Sequence, residues 1–511
     1  MSDLLSFIVE RRVELGRLTL EHLAMSALAT LAAALIGLPL GILLTRRARF
    51  AGPVLAFANV LQTIPSLALF GLLIPLPLIG GIGPRPAILA LILYAILPIL
   101  RNTYDGIRGV DPSLREAAEA LGLKPMERLR LVEIPLAMPV ILGGVRLAAV
   151  LSVGTATIAA AVGAGGLGTY VLRGISTVDT RLVLAGALPA ALLAVLVDAA
   201  LGRLARSDRP MRSGLILIVA TALCALTLFD LRAGPPRIVV GSKNFTESVL
   251  LGEIVALTLE TRGLSVERRF NLGGAWLCHR ALLSGDLDVY VEYSGTALMD
   301  IFKHSRETDR ETVLARVRAD YEKVGLEALP SLGYENNFAF VIRDEDAARH
   351  GLGRISDLQK VQSRFRLGMF GEFLERADGF PGLILAYDLK FTLPPKEMDL
   401  GLLYQALESK EIDLAVGSTT DGLIAAKGFV VLEDDRRYFP PYDALPIARQ
   451  AAIAQHPGLR DAMDALAGRM DAATMRRLNF EVDGRKRDPR DVAREFVATL
   501  APRSPRTRPA P

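Results

Sequence analysis

Six runs of apolar residues, 20–44, 54–74, 87–100, 140–162, 182–201 and 214–229, crowd the first half of this chain. A helix needs about 20 such residues to cross a bilayer. Hydrocarbon admits only structures that satisfy their own backbone hydrogen bonds, so this half is committed to an all-α transmembrane unit. The run 87–100 reaches spanning length with its flanks, and 214–229 is barely long enough. Its Met-Arg start resembles a signal peptide fused in frame, yet no small-residue cleavage site clearly follows Phe229, and a retained sixth span is expected. The 51% hydrophobic content is concentrated here, whereas residues 237–500 read as a water-soluble domain.

Basic residues set the orientation. Arg46, Arg47 and Arg49, the stretch 111–139 and the stretch 203–212 alternate onto one side, which the positive-inside rule makes cytoplasmic. The amino terminus and everything after Phe229 then lie outside. Arg11, Arg12 and Arg17 oppose this and are assigned to an interfacial helix, 1–18. The expected organisation continues with a transmembrane domain at 19–205, a linker carrying the sixth span at 206–236, an external domain at 237–500 and a disordered tail at 501–511. The net charge of +4 sits at membrane edges and in the tail, a topology signal rather than a nucleic-acid footprint. Cys224 and Cys278 lie too far apart in character to suggest a disulfide.

Within the spans, Gly and Pro interrupt the pattern at 62–66, 80–84 and 163–168, either lining a pathway or allowing helices to approach closely. Intramembrane charge is confined to Arg146 and Asp198 near span ends, which argues against a proton relay. No phosphate-binding loop of the G-x-x-x-x-G-K-[ST] type occurs, so the energy for any transport comes from another subunit.

The stretch 111–139 is a charged island between spans. Asp111 or Ser113 caps a short helix, Pro112 suits its first turn and Glu116 completes a capping box with Ser113. Gly122 stops the helix. A second short helix near 126–132 is expected to end at Pro135 and Pro139. Glu116-Ala117-Ala118, then Gly122, Ile134-Pro135 and Pro139 resemble the EAA loop of ABC importer permeases. The resemblance implies that Glu116, Ala117, Ala118 and Gly122 form a coupling element docking on a separate ATPase subunit. One such loop per chain implies a homodimer.

Past residue 236 the pattern changes to alternating strands and helices, an α/β layer arrangement. Strand 237–242 feeds a helix from Ser248 whose start, with Asn244 and Glu247 as a capping box and Lys243 beside it, suits a carboxylate. No metal-spaced cluster or nucleophile motif is present, so neither a cofactor nor catalysis is expected. SKNFTE at 242–247, DVYVEYSGTAL at 288–298, EFLERADGFPGL at 372–383, TDG at 420–422 and FPPYDALP at 439–446 are similar to binding proteins for quaternary-amine compatible solutes, the glycine betaine/choline class. The resemblance implies a two-lobed, type II periplasmic-binding fold, with lobe one at 237–342 and 443–500 and lobe two at 343–442.

That family surrounds a trimethylammonium group with aromatic rings, each worth about 0.5–2 kcal/mol of cation–π attraction. Tyr293, Phe338 and Tyr442 fall at three of these positions. Ser418 stands where the pattern has a fourth ring. Lys243, Thr296 and Arg376 match the carboxylate ligands, Arg376 as a bidentate clamp that favours a zwitterion over choline. Trp276 is a further pocket candidate, and Glu372 and Asp421 read as anchors inside a lobe.

The whole resembles a fused permease and substrate-binding subunit of an osmoprotectant ABC importer in the inner membrane. Its implied cargo is glycine betaine or a related choline, proline betaine or carnitine. Another betaine such as ergothioneine is the alternative within the class. A membrane-anchored solute sensor is the alternative outside it, though the chain shows no output domain. Implied partners are the ATPase, a second copy, membrane lipid and a small quaternary-amine zwitterion.

Overall fold

A computed structural model describes residues 2–74, 76, 81–176, 179–205 and 237–500. They fall into two compact units, one helical, up to residue 172 and from 181 to 205, the other α/β, over residues 237–500 together with the described part of 173–180. The expected sixth span and tail lie outside the described residues.

The helices up to residue 205 are α1 (Ser2–Glu10), α2 (Arg12–Arg46), α3 (Ala48–Thr63), α4 (Ser66–Leu73), α5 (Pro84–Arg108), α6 (Pro112–Ala120), α7 (Pro125–Arg128), α8 (Ile134–Ala159), α9 (Gly168–Ser176) and α10 (Thr180–Ala205). Among the described residues, four helical stretches are long and apolar enough to cross a membrane, and α3 with α4 makes a fifth if that pair, bent by 98°, is one span. The bend falls at Ile64-Pro65. Pro disfavours helical backbone in the residue before it, and Ile64 is extended, with φ −64° and ψ 127°. Its freed carbonyl accepts the Tyr94 hydroxyl, which keeps the break satisfied at membrane depth.

The separate interfacial helix expected at 1–18 is replaced by a shorter one. The break falls at Arg11, and α2 runs on from Arg12 because nothing in the sequence interrupts it and its buried stripe, Leu15, Leu18, His22, Met25, Ser26 and Ala29, continues unbroken into the span. At about 1.5 Å per residue this 35-residue helix outruns the roughly 30 Å hydrocarbon layer. Small residues let α2, α5 and α8 approach closely: a Cβ at Gly41 would lie 2.7 Å from Thr103 Cβ, and one at Gly144 2.6 Å from Asn102 Cβ.

In the charged loop, α6 forms as expected with Asp111 as its cap, accepting the Ser113 amide at 2.9 Å. Glu116 points to solvent, so the expected capping box does not form. Gly122 takes the left-handed φ of +80° that turns the chain. The second helix does not end at Pro135 or Pro139. Leu129–Glu133 widens into a π turn that runs straight into α8, because the looser i→i+5 pattern makes room for Pro135, which has no N–H to offer. Arg115 donates to the carbonyls of Ile107, Arg108 and Val110, capping the end of α5. Buried Glu133 pairs with Arg46 at 2.8 Å and Arg128 at 3.1 Å.

The α/β unit holds two five-stranded mixed sheets. Strands β1 (Ile238–Gly241), β2 (Val266–Arg269), β3 (Val289–Tyr293), β4 (Leu326–Ala328) and β10 (Ala444–Arg449) form the first, in the order β2-β1-β3-β10-β4. Strands β5 (Phe338–Arg343), β6 (Leu367–Met369), β7 (Lys396–Glu397), β8 (Leu414–Ser418) and β9 (Phe429–Leu432) form the second, ordered β7-β6-β8-β5-β9. The chain therefore crosses between lobes twice. The first crossing precedes Phe338 instead of falling near Arg343, because all of β5 pairs with β8 and β9. Residues 338–342 thus belong to the second lobe.

Candidate ligand-binding cleft

A cleft of about 1060 Å³ opens in the α/β unit, and every residue singled out for binding lines it: Lys243, Tyr293, Thr296, Phe338, Arg376, Ser418 and Tyr442. They come from chain ends of the sheets. Lys243 follows β1, Tyr293 closes β3, Phe338 opens β5, and Ser418 closes β8 directly opposite Phe338 in register. Tyr442 sits on the returning crossover. The half-exposed Trp276, near the start of α12 (Ala275–Ser284; α11 is Thr246–Glu260), also lines the cleft.

The cations are already engaged. Arg376, 5% exposed, spends its Nε and Nη2 on Asp378, at 3.0 and 2.6 Å. Its Nη1 lies 3.4 Å from Thr296 Oγ1, and its Cζ stands 5.3 Å from the Phe338 ring centroid. The bidentate clamp expected of Arg376 is thus directed at the protein's own carboxylate, and its Nη1 lies between Thr296 and Glu372 Oε1, 3.5 Å away. Lys243 pairs with the fully buried Glu292, which also accepts the Tyr290 hydroxyl at 3.0 Å and the Tyr293 amide at 2.8 Å. Lys243 Nζ stands 4.5 Å from the Tyr293 ring centroid, so that ring face already has a cation.

Phe338 meets Tyr442 edge-on at 5.1 Å and tilts toward Phe370 at 6.0 Å; Phe245 stacks on Tyr293 at 6.4 Å. Phe245 and Phe370 line the cleft too. Burial above all, then Glu247, raises the Tyr293 phenol well above its ordinary value, so it donates its proton in a hydrogen bond of 2.6 Å to Glu247.

Glu247 is the residue that sequence reasoning misplaced. Helix α11 begins at Thr246 without a side-chain cap, and the Glu247 carboxylate turns inward. Its Oε1 accepts Tyr293, Tyr334 and Asn336 at 2.6, 2.8 and 2.9 Å, and its Oε2 accepts Thr420 and, at 2.7 Å, Asn479. Thr420 belongs to the second lobe and Asn479 to the helix Ala472–Asp483 that packs on it, so one carboxylate ties both lobes. Asp378, two residues beyond Arg376, was the one missed partner with a visible signal. Glu372, read as an internal anchor, faces Arg376 of its own lobe at 3.5 Å and also lines the cleft.

Asp421 does anchor the lobe, accepting the Ser418 amide at 2.8 Å and the Tyr404 hydroxyl. Burial pushes its carboxyl up to about 7, against those hydrogen bonds, with Asp483 and Glu247 adding to the rise. Burial likewise lifts Asp483 to about 6, opposed by Thr246 and Lys486. Both values lie above the ordinary 3.8, so the stability these carboxyls contribute is complete below that value and is lost as pH rises through about 6 and 7. The melting temperature of the α/β unit is expected to be higher at pH 5 than at pH 8, and Asp421→Asn to flatten the difference. An unaltered profile in that variant contradicts the assignment.

Two families match the chain. Residues 37–209 match "Binding-protein-dependent transport system inner membrane component", and residues 236–499 match "Substrate binding domain of ABC-type glycine betaine transport system". The chain belongs to the family of ABC importer subunits in which a permease and a glycine betaine-type binding domain are fused in one polypeptide. It is a multi-pass inner-membrane protein with its binding domain outside the membrane part, a transport subunit rather than an enzyme. It is 36% identical over 470 residues to an ergothioneine transport permease/ergothioneine binding protein of Helicobacter pylori, covering 87% of this chain and 83% of the relative. An osmoprotectant import permease protein of Salmonella typhimurium is 50% identical over 204 residues, 40% of this chain and 95% of the relative. A carnitine transport binding protein of Listeria monocytogenes is 34% identical over 263 residues, 50% of this chain and 85% of the relative.

Proposed function

We propose that this chain captures glycine betaine or a related quaternary-amine solute such as choline, proline betaine or carnitine outside the cytoplasmic membrane, and passes it through a pore formed by two copies of the permease unit. The observation that carries this is the convergence of Phe338, Tyr442, Phe370 and Tyr293 on one cleft that also holds Arg376 and Thr296. A methylated ammonium offers no N–H, so recognition falls to ring faces. Phe338, Tyr442 and Phe370 hold the ammonium, and Arg376 Nη1 with Thr296 takes the carboxylate. Lys243, neutralised by Glu292, shapes the wall behind Tyr293. ATP is hydrolysed on a separate subunit that docks on the loop around Glu116, Ala117, Ala118 and Gly122, and closure of the two lobes presents the loaded domain to the permease.

Ergothioneine is the second reading, favoured by Ser418. Opposite Phe338 it leaves open a side that a fourth ring would close, which suits a bulkier betaine.

Phe338→Ala is expected to weaken binding of the preferred solute about tenfold, roughly 1.4 kcal/mol. Phe338→Leu, which keeps apolar volume but has no π face, should lose nearly as much. Titration of the full-length chain by calorimetry checks both; unchanged affinity in Phe338→Ala removes the aromatic site.

A further inference from the structure

Each cation facing the cleft has a carboxylate of its own: Lys243 has Glu292, Arg376 has Asp378, and Lys303 has Asp300 at 2.9 Å. The second lobe still contributes Glu372, Glu375 and Glu397 to the lining, and among the described residues none of these side chains has a protein hydrogen bond. Glu372 is the one beside the carboxylate-binding edge. It lies one turn before Arg376, its Oε1 3.5 Å from Arg376 Nη1. Its Oε2 faces Gly274 of the first lobe, where a Cβ would stand 3.4 Å away, in ordinary contact. The side chain remains 39% exposed, and the cleft, at about 1060 Å³, is far larger than glycine betaine fills.

A carboxylate only accepts hydrogen bonds, and enclosing one without a donor is costly. A site built to bond a ligand's O–H or N–H therefore discriminates strongly against an analogue that lacks it. We infer that Glu372 is a specificity-determining residue: its carboxylate accepts a hydrogen bond from an O–H or N–H group of the ligand, so the cleft selects quaternary ammonium compounds bearing such a donor over glycine betaine, which has none. This rests on the binding reading above and narrows its substrate class.

Carnitine, ergothioneine and glycine betaine are all zwitterions, so net charge is constant across them; the first carries an O–H, the second an N–H, the third neither. The chain has one tryptophan, Trp276, and it lines the cleft, so the emission of the full-length protein in detergent reports binding without a label. Wild-type protein is expected to bind carnitine or ergothioneine about tenfold or more tighter than glycine betaine. Glu372→Ala should weaken the donor-bearing ligand about tenfold and glycine betaine less than about threefold, while Glu372→Gln, which keeps an acceptor oxygen, recovers part of the loss. Equal wild-type affinities overturn the inference and leave the binding reading standing. So does a uniform loss for all three in Glu372→Ala, which marks a purely structural part for the side chain. Wild-type protein that binds none of the three overturns the binding reading itself, and the inference with it.

Discussion

Glu247→Ala is expected to lower the melting temperature of the binding unit by about 8 °C or more. The carboxylate accepts from Tyr293, Tyr334, Asn336, Thr420 and Asn479, and all five donor residues are at most 7% exposed. Stranding a buried donor costs about 1–3 kcal/mol. Some of the five will find other partners, so a total near 4 kcal/mol is a restrained figure. At about 2–4 °C per kcal/mol for a domain of this size, that is the stated drop. Glu247 also stands in the first turn of α11, where a negative charge favours the helix by about 0.3–1 kcal/mol. A drop of only about 2 °C would mean that this lesser effect is all the residue provides. Glu247→Gln should fall between, since its amide keeps one acceptor oxygen and turns a second donor on the remaining partners. Thermal unfolding followed by Trp276 emission reads all three proteins.

The second large effect is expected at the loop between α5 and α8. Leu114, Leu121, Met126 and Leu131 are 46, 82, 70 and 63% exposed there, interspersed with charged residues. Four large apolar side chains on one short loop are a docking surface in the making. The loop is braced from behind by Arg115 on the end of α5 and by the Arg46–Glu133–Arg128 cluster, so a push on it reaches the spanning helices. Leu121→Asp places a charge where an apolar groove should close, and burying an unpaired charge is expensive. Transport in cells supplying the ATPase should fall by more than about tenfold, and solute binding to the cleft should stay within about twofold. Retained transport would mean that the ATPase engages some other surface.

The membrane half was legible because its constraint is one of length and polarity. Apolar runs predict helices in hydrocarbon almost regardless of what packs on them, and the capped helix at Pro112 was written in local residues. What stayed hidden was set by neighbours. Nothing around Leu129 announces a π turn, and the continuation of α2 through Arg12 to Leu18 depends on which face other helices cover. In the binding unit, the seven residues taken from family motifs all reach the cleft, because motif positions mark chain ends facing it. Their partners were mostly opaque. Asp378 stands two residues from Arg376, a local signal, but Glu292 and Glu247 become partners of Lys243 and Tyr293 only once the strands are paired, and Phe338 could not be allotted to a lobe before its register against Ser418 was known.

Joining catcher and conduit in one polypeptide fixes their numbers at one to one. A freely diffusing binding protein can outnumber its permease and feed it by mass action, whereas a tethered one stays at a constant effective concentration. The abundance of the binding domain is then no longer a separate variable, and its supply to the permease rests on the cleft's own affinity and release rate. Extra copies of residues 237–500 supplied separately would compete for solute rather than speed its entry.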